Sequence, residues 1–248
     1  MNPYLSVIIP IYNESENFQK GNLSHIHEFL SGLNFDWELL LVNDGSTDDS
    51  LALAAKFAKN HINTRVINNP HRGKAATVAT GVFESLGEYI LFSDTDQATP
   101  IEELTKIIPK LKSGFDIVIG SRSGRKGYPL YRQILAYGMV VIRTLLLRLP
   151  FKDTQCGFKA FKKAPAIRIF RIMEKVHPSK TITQPAVNPG FDVELLYLGR
   201  KLGYKIAEVP VDWFHQDSKR VTFIKDAVNG LKELFLIRFR SLTNAYKI

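Results

Sequence analysis

The chain has 248 residues, of which 45% are hydrophobic and 23% charged, so it is long enough for one large or two small α/β domains and is not of the disordered class. Its single cysteine, Cys156, excludes an intramolecular disulfide and a four-thiolate zinc site, and it suits a reducing compartment. The formal net charge of +9 indicates an acidic partner, which is nucleic acid, an anionic membrane surface or a phosphorylated substrate.

The first 120 residues alternate short apolar runs with helical segments. The pattern predicts a helix over residues 15–30 and strands over residues 5–10, 37–42, 64–68, 88–93 and 115–120. Short continuous apolar strands separated by helices indicate a parallel sheet that is covered on both faces. Ser46 with Asp49, and Thr99 with Glu102, predict helix starts directly after two of these strands.

The pattern loosens after Gly120. Residues 121–129 predict a loop, residues 130–149 a largely apolar helix, and the Pro- and Thr-rich residues 175–190 an extended loop. Over residues 221–246, apolar side chains recur at helical spacing with lysines and arginines mostly between them. Packing against the core and contact with a membrane interface are both compatible with this last helix.

Neither an export signal nor a membrane span is predicted. The first residues lack a basic and apolar signal pattern, and no run reaches the ~18 uncharged apolar residues of a span, because Arg143 and Arg148 interrupt the longest one. Two stretches, residues 122–148 and 225–247, combine basic with apolar side chains, which favours an anionic membrane surface over nucleic acid. We therefore expect a peripheral protein at the cytoplasmic face of a membrane.

The segment Asp94-Thr95-Asp96 follows the fourth predicted strand directly. Ligands bind beyond the carboxyl ends of the strands in an open α/β sheet, and two neighbouring carboxylates repel unless a cation lies between them. A hard divalent ion, Mg²⁺ or Mn²⁺, that also holds phosphate oxygens fits this pair, and a solvated turn is the alternative. A haloacid-dehalogenase-type phosphatase also uses Asp-x-Asp, but Ala98 stands where that motif has Thr or Val.

Other polar residues follow the first three strands. Tyr12 is a candidate to lie against a nucleobase, Asp44 to accept from a base N–H, and Glu14 to accept from a ribose hydroxyl or a base. A helix-capping turn is the other role open to Asp44. Arg72 and Lys74 precede a helix, where cations oppose the dipole, so an anion such as a diphosphate is expected nearby. The chain has no Gly-x-Gly, which speaks against a dinucleotide-binding turn.

These motifs together resemble the family 2 glycosyltransferases, which have the GT-A fold. In the first half the resemblance is carried by residues 7–14, 42–46 and 94–96. The second half is similar to the dolichyl-phosphate β-glucosyltransferases in residues 120–122, 153–159, 191–197 and 235–240. Polyprenyl-phosphate mannosyltransferases share the scaffold but match the second half less closely.

The resemblance implies a single GT-A domain over residues 1–248. Residues 1–120 would form the nucleotide-sugar half, 121–220 the acceptor half and 221–248 an amphipathic membrane-interface helix. The implied reaction is inverting transfer of a hexose, glucose from UDP-glucose, to a polyprenyl or dolichyl phosphate. A GDP-mannose-dependent enzyme, a transferase with a sugar-hydroxyl acceptor and a non-enzymatic membrane- or nucleic-acid-binding protein remain the alternatives.

The resemblance also implies three sets of site residues. The nucleotide-sugar set is Pro10, Tyr12, Glu14, Asp44, Arg72, Lys74, Asp94, Thr95, Asp96 and Gln97; the acceptor-phosphate set is Arg122 and Arg132; the catalytic set is Asp96, Asp153 and Asp192, with Asp94 and Asp96 as metal ligands. A phosphate monoester has its second pKa near about 6, so the acceptor is mostly an anion and needs no general base. Asp153, Asp192 and Glu194 are therefore expected to position sugar hydroxyls or to brace basic residues. For Asp192 and Glu194 a charge pair at a helix N-terminus is the alternative.

Overall fold

The computed structural model describes residues 2–122, 130–178, 190–214 and 223–248, and it describes the side chains of all of these except residues 130–136 and 223–227. Of the loops predicted at residues 121–129 and 175–190, residues 123–129 and 179–189 lie outside the described residues, whereas residues 121–122 belong to a strand and residues 175–176 to a helix. The side chain of Arg132, which was predicted to bind the acceptor phosphate, also lies outside them.

A seven-stranded sheet with the order β3-β2-β1-β4-β6-β5-β7 forms the centre of the described residues. Its strands are β1 (Leu5–Ile11), β2 (Trp37–Asp44), β3 (Thr64–Asn69), β4 (Tyr89–Ser93), β5 (Ile117–Arg122), β6 (Phe158–Lys162) and β7 (Ile206–Val211). Neighbouring strands are parallel except for β6, which is antiparallel to both β4 and β5. The predicted α/β fold with a mostly parallel sheet is confirmed.

The helices lie mainly between the strands. They are α1 (Ser15–Gln19), α2 (Asn22–Ser31), α3 (Ser50–Asn60), α4 (Lys74–Glu84), α5 (Leu104–Lys112), α6 (Leu130–Leu147), α7 (Lys163–Val176), α8 (Phe191–Lys201) and α9 (Phe223–Leu242), with a 3₁₀ turn at Ile101–Glu103. In the parts of the chain that the structure describes, none of these helices has the length and apolar character needed to cross a membrane.

Two hydrophobic cores cover the two faces of the sheet, because successive side chains of a strand point to opposite sides. Ile9, Leu41 and Leu91 belong to one core, whereas Ile8 and Phe92 belong to the other. All five side chains are fully buried, and each such burial contributes about 1.5–3 kcal/mol. This explains why continuous apolar runs, rather than alternating ones, marked the strands in the sequence.

Two predicted local features differ from the structure. The helix expected over residues 15–30 is divided into α1 and α2, because Gly21 takes a left-handed conformation with φ of 86° between them. Ser46 does not cap a helix: its hydroxyl donates to Asn43 Oδ1 at 2.6 Å, and α3 begins only at Ser50. Ser46 therefore shapes the turn after β2.

Arg143 was grouped with a basic membrane-facing stretch, and the structure corrects this. Its side chain is buried, and its guanidinium donates to Thr154 Oγ1 at 3.0 Å and to the backbone carbonyl of Phe151. Arg143 therefore ties α6 to the loop before β6. A buried arginine with such partners contributes to the fold and not to the surface charge.

Candidate active site

The carboxyl ends of the parallel strands gather the predicted residues at one edge of the sheet. Tyr12 follows β1, Asp44 ends β2, and Asp94 follows β4. Because β6 runs antiparallel to β4, it begins where β4 ends, and Ser93 pairs with Phe158. The reversed strand therefore brings the segment before it, from the second half of the chain, beside the aspartates of the first half.

Hydrogen bonds hold the Asp94-Thr95-Asp96 loop in place. The Thr95 hydroxyl donates to the Pro10 carbonyl at 2.8 Å, which ties this loop to the end of β1. Gln97, with φ of 52°, donates from Nε2 to the backbone carbonyl of Asp94 at 2.8 Å. Thr95 is buried, so it and Gln97 shape the loop from behind, whereas the Asp94 side chain keeps 38% of its surface exposed.

Three carboxylates, two from the loop after β4 and one from α8, act on the ammonium group of Lys74. Nζ of Lys74 donates to Asp94 Oδ1 at 2.5 Å. Burial lowers the pKa of Lys74, but the charges of Asp94, Asp192 and Asp96 outweigh this and hold the pKa above its usual value. Lys74 is therefore a permanent cation at the edge of an acidic cluster.

The two aspartates suit a hard divalent ion. Burial raises the pKa of Asp96, and the neighbouring Asp94 raises it further, against the lowering effects of a backbone hydrogen bond from Ala98 and of Lys74. Within the described ranges no group of three or more His, Cys, Asp or Glu side chains forms a closed metal site. Two carboxylates with an open side fit Mg²⁺ or Mn²⁺, which take their remaining ligands from phosphate oxygens and water.

The segment 156–159 contacts the carboxylates on both sides of the cluster. A Cβ built on Gly157 would overlap the Asp94 carboxylate, lying 2.5 Å from its Cγ, so only glycine leaves room for Asp94. Two residues on, Lys159 Nζ donates to Asp192 Oδ1 at 2.7 Å. Cys156 is buried, and burial raises the pKa of its thiol, which fits a structural thiol rather than a nucleophile.

On the side predicted to bind the nucleotide, Asp44 anchors the loop before α4. Its carboxylate accepts from the backbone N–H groups of Arg72 at 2.7 Å and Gly73 at 2.9 Å. His71 Nδ1 lies 2.8 Å from Asp44 Oδ2, and the His71 ring stacks on Tyr12 with centroids 4.1 Å apart. Both Asp44 oxygens thus have partners within the protein, which favours an anchoring role over direct contact with a base.

Arg72 Nε is buried without a hydrogen-bond partner among the described residues, so it remains available to an anion.

Glu14 of the predicted nucleotide set and its neighbour Asn13 lie at the same end of β1. Glu14 is half-buried, and its Oε2 accepts from Asn17 Nδ2 at 2.5 Å. Asn13 takes a left-handed conformation with φ of 54°, and its Oδ1 accepts from the Thr47 N–H at 2.8 Å. The turn after β1 is thereby fixed to the turn after β2.

On the side predicted to bind the acceptor, Asp153 holds the guanidinium of Arg122. Nε of Arg122 donates to Asp153 Oδ2 at 2.5 Å and NH2 to Oδ1 at 2.9 Å. Burial raises the pKa of Asp153, but the hydrogen bonds and charge of Arg122 prevail and lower the pKa to about 2. The pair therefore contributes its full stabilisation when the pH is above the ordinary pKa of an aspartate. The contribution is lost as the pH falls toward 2. Of the roles expected for Asp153, the geometry favours bracing Arg122 over touching the substrate.

Asp192 and Glu194 share the first turn of α8 but face different surroundings. Asp192 contacts Lys159 and acts on Lys74, whereas Glu194 is buried and accepts from Tyr246 Oη at 2.6 Å. His177 Nε2 also lies 2.8 Å from Glu194. Burial raises the pKa of Glu194, but His177 and Tyr246 outweigh this and lower it. Glu194 thus joins α7, α8 and the C-terminal residues, and it lies outside the site.

Our interpretation of the sequence missed Gly157, Lys159 and His71. Gly157 and Lys159 belong to residues 153–159, which were used only as evidence of the family resemblance. A lysine within a strand is usually a surface residue, so no role in a site was predicted for Lys159. His71 stands between β3 and the cations Arg72 and Lys74, and only the two cations were predicted to bind a ligand.

Residues 6–170 match the model of glycosyl transferase family 2. The chain is 35% identical to the dolichyl-phosphate beta-glucosyltransferase of Dictyostelium discoideum, over 100% of this chain and 77% of that protein. It is 32% identical to the enzyme of that name from Homo sapiens, over 98% and 78%. A crystal structure of glucosyl-3-phosphoglycerate synthase from Mycobacterium tuberculosis with Mn²⁺, UDP and glucosyl-3-phosphoglycerate superposes with a TM-score of 0.62 at 17% identity, over 95% and 80% of the chains. The last similarity establishes a shared GT-A fold.

Proposed function

Because the chain belongs to glycosyl transferase family 2, we propose that it transfers glucose from UDP-glucose to dolichyl or another polyprenyl phosphate and forms a β-linked lipid-phosphate sugar. The observation that carries this proposal is the meeting of Asp94, Asp96, Lys74 and Asp192 at one sheet edge, between the Tyr12–His71 stack and the Arg122–Asp153 pair. The names of the relatives suggest the sugar and the lipid.

The donor side of the site would hold the diphosphate. Asp94 and Asp96 would hold Mg²⁺ or Mn²⁺ for the diphosphate, and the Tyr12–His71 stack would offer an aromatic face to the base. When bound, the metal acts as a Lewis acid that stabilises the charge on the departing UDP. Lys74 and Arg72 add fixed positive charge for the same purpose.

The acceptor supplies the nucleophile. An oxygen of the lipid phosphate bonds to C1 of glucose while the bond from C1 to the β-phosphate oxygen breaks, and UDP leaves with that electron pair. A single displacement converts the α-linked donor into a β-linked product. Since the acceptor phosphate is largely ionised at neutral pH, no side chain has to remove a proton. Arg122, whose guanidinium is held by Asp153, would bind the acceptor phosphate.

A donor screen tests this function. The protein is incubated with a short polyprenyl phosphate, Mg²⁺ or Mn²⁺, and either UDP-glucose or GDP-mannose, and the lipid-linked sugar is measured. We expect glucose transfer that chelator abolishes and a β-linkage in the product. Transfer from GDP-mannose alone, or transfer to a sugar hydroxyl in preference to the lipid phosphate, would select one of the alternative enzymes.

Exposed apolar side chains on α6 and α9 support contact with a membrane surface. On α9 Phe235, Phe239 and Leu242 are exposed at helical spacing, with Phe239 63% exposed, whereas Leu234 and Ile237 of the same helix are buried. On α6, which packs against α9, Tyr137, Val141 and Leu145 form a second exposed row. Exposed apolar patches of this kind mark interaction sites, and Lys232 and Arg238 flank the α9 row with positive charge.

We expect the double variant Phe235→Ser/Phe239→Ser to bind vesicles containing phosphatidylserine about tenfold more weakly or worse. Inserting a whole Phe side chain into an apolar phase contributes about 1.5–3 kcal/mol. Phe235 is 60% and Phe239 63% exposed, so only part of each is available, and the sum still exceeds the roughly 1.4 kcal/mol of a tenfold change. The measurement is co-sedimentation with vesicles with and without phosphatidylserine. Ile62→Ser is the matched control, because Ile62 is exposed but lies before β3, away from both helices. Unchanged sedimentation of the double variant would show that this surface does not contact the membrane.

A further inference from the structure

Lys159 is a lysine that the fold removes completely from water. It is the second residue of β6, with 0% of its side chain exposed. Its register partner on β4 is Phe92, and Nζ lies 5.4 Å from the centre of that ring. Nζ donates to Asp192 Oδ1 at 2.7 Å and to the backbone carbonyl of Cys156. The ammonium group is therefore fixed by a carboxylate, a carbonyl and an aromatic face.

Stability alone does not account for this arrangement. Taking an ammonium group and a carboxylate out of water costs more than their attraction returns unless the geometry is very good, and apolar residues of similar volume often stabilise a protein as well or better. A strand position between two hydrophobic cores would accept a methionine or leucine. A charged pair at such a position points to a role outside folding.

That role is visible on the far side of Asp192. The carboxylate is 16% exposed, with Lys159 behind it in the core, and its charge acts on Lys74, which is bonded to Asp94. The order of charges from the core outward is Lys159, Asp192, Lys74 and Asp94. Asp192 thus joins a buried cation to the cluster that we assign to the donor.

We propose that Lys159 is a positioning residue: its ammonium group fixes the Asp192 carboxylate in the orientation that meets the transferred sugar, and Lys159 itself touches no substrate. The inference rests on the proposed function, which supplies the sugar that Asp192 faces. Gly157 of the same segment makes room for Asp94, so residues 156–159 contact both carboxylates. The segment therefore connects Asp94 with Asp192.

A double-mutant cycle on Lys159→Met and Asp192→Asn tests the proposal. We expect each single variant to lower kcat for glucose transfer at least tenfold and to change the KM for UDP-glucose less than threefold. The double variant should have the kcat of Asp192→Asn alone, because Lys159 acts only through Asp192. It should also unfold at the temperature of the wild-type protein or higher, since both buried charges are gone.

The matched control is Lys162→Met/Asp116→Asn. Lys162 ends the same strand, its Nζ lies 3.0 Å from Asp116 Oδ1, and its register partner Tyr89 begins β4 at the opposite edge of the sheet. We expect wild-type kcat from this variant.

If the fold-losses of kcat in the two single variants multiply in the double variant, the proposal is overturned. A lower kcat in Lys159→Met together with full activity in Asp192→Asn would also overturn it. If Lys159→Met alone does not fold, equal kcat values of the double variant and Asp192→Asn support it, and a further loss contradicts it. If the donor screen selects GDP-mannose, the cycle is measured with that donor. The assignment of glucose then fails without deciding the role of Lys159.

Discussion

Replacing Asp96 by asparagine is expected to lower kcat/KM for lipid-linked glucose formation by about 10²–10³, the cost of removing one group that stabilises developing charge. Asp96 is one of two carboxylates available to hold the metal and the diphosphate, and the amide of asparagine is a weaker ligand. The fold should survive, because Asp96 Oδ1 accepts from the Ala98 N–H at 3.0 Å and an amide oxygen accepts the same bond.

Stability should move in the opposite direction to activity. Burial raises the pKa of Asp96, so at neutral pH its charged form is less favourable in the folded chain than in the unfolded chain. The contribution of Asp96 to the stability of the fold is therefore greatest when the pH is below the ordinary pKa of an aspartate. This contribution is lost as the pH rises. The neutral amide avoids that loss, and we expect the variant to melt at the wild-type temperature or slightly above it.

The measurements are initial rates of transfer at saturating Mn²⁺, the affinity for Mn²⁺ with UDP, and thermal unfolding. Asp212→Asn is the control, because Asp212 is exposed and its nearest cation, Lys106, lies 3.6 Å away. Full activity of Asp96→Asn in excess chelator would disprove the role of this carboxylate in metal binding. Loss of Mn²⁺ affinity without loss of transfer would assign the metal to a structural role.

The donor side was predictable because its chemistry sits at strand ends. Buried parallel strands are visible in the sequence as continuous apolar runs, and their carboxyl ends must share one edge of the sheet. Tyr12, Asp44 and Asp94 could therefore be placed together before any contact was known. The partners of Asp44 could not, because the loop at residues 71–73 reaches it through backbone N–H groups, which leave no mark on residue type.

The acceptor side was less predictable, because its strands and helices alternate irregularly. β6 carries two lysines in five residues, and a sequence pattern does not distinguish the buried Lys159 from the half-exposed Lys162. Its antiparallel direction is also invisible in the sequence, yet it decides that residues 156–159 meet Asp94. The same limit explains Arg143, which resembles a surface cation in sequence and is held inside by carbonyl and hydroxyl groups.

For α9 the sequence left core packing and membrane contact as alternatives. In the structure this helix has one buried apolar face and one exposed apolar face. Leu234 and Ile237 enter the core, while Phe235 and Phe239 remain exposed. When apolar residues lie on both sides of a helix, the sequence does not show which side is buried. Only the position of the neighbouring helices decides which face is covered.

Replacing Gly157 by alanine is expected to lower kcat/KM for transfer by about 10², although the change adds a single methyl group. The added Cβ would occupy the place of the Asp94 carboxylate, and the atoms in its way belong to the end of a side chain rather than to the backbone. Asp94 can swing aside, so the fold is expected to remain intact while the carboxylate leaves its position. Displacing a group in the site by about 1 Å is sufficient for a loss of this size.

The expected pattern is full folding, weak Mn²⁺–UDP binding and low transfer, measured by thermal unfolding, titration calorimetry and initial rates. Gly138→Ala in α6 is the matched control, because a Cβ there meets nothing within 4 Å and alanine favours a helix interior by about 0.5–1 kcal/mol. That variant should retain full activity and melt slightly higher. Wild-type Mn²⁺–UDP affinity in Gly157→Ala would mean that Asp94 binds the metal from a second rotamer. The closeness of Gly157 would then be a matter of packing and not of catalysis.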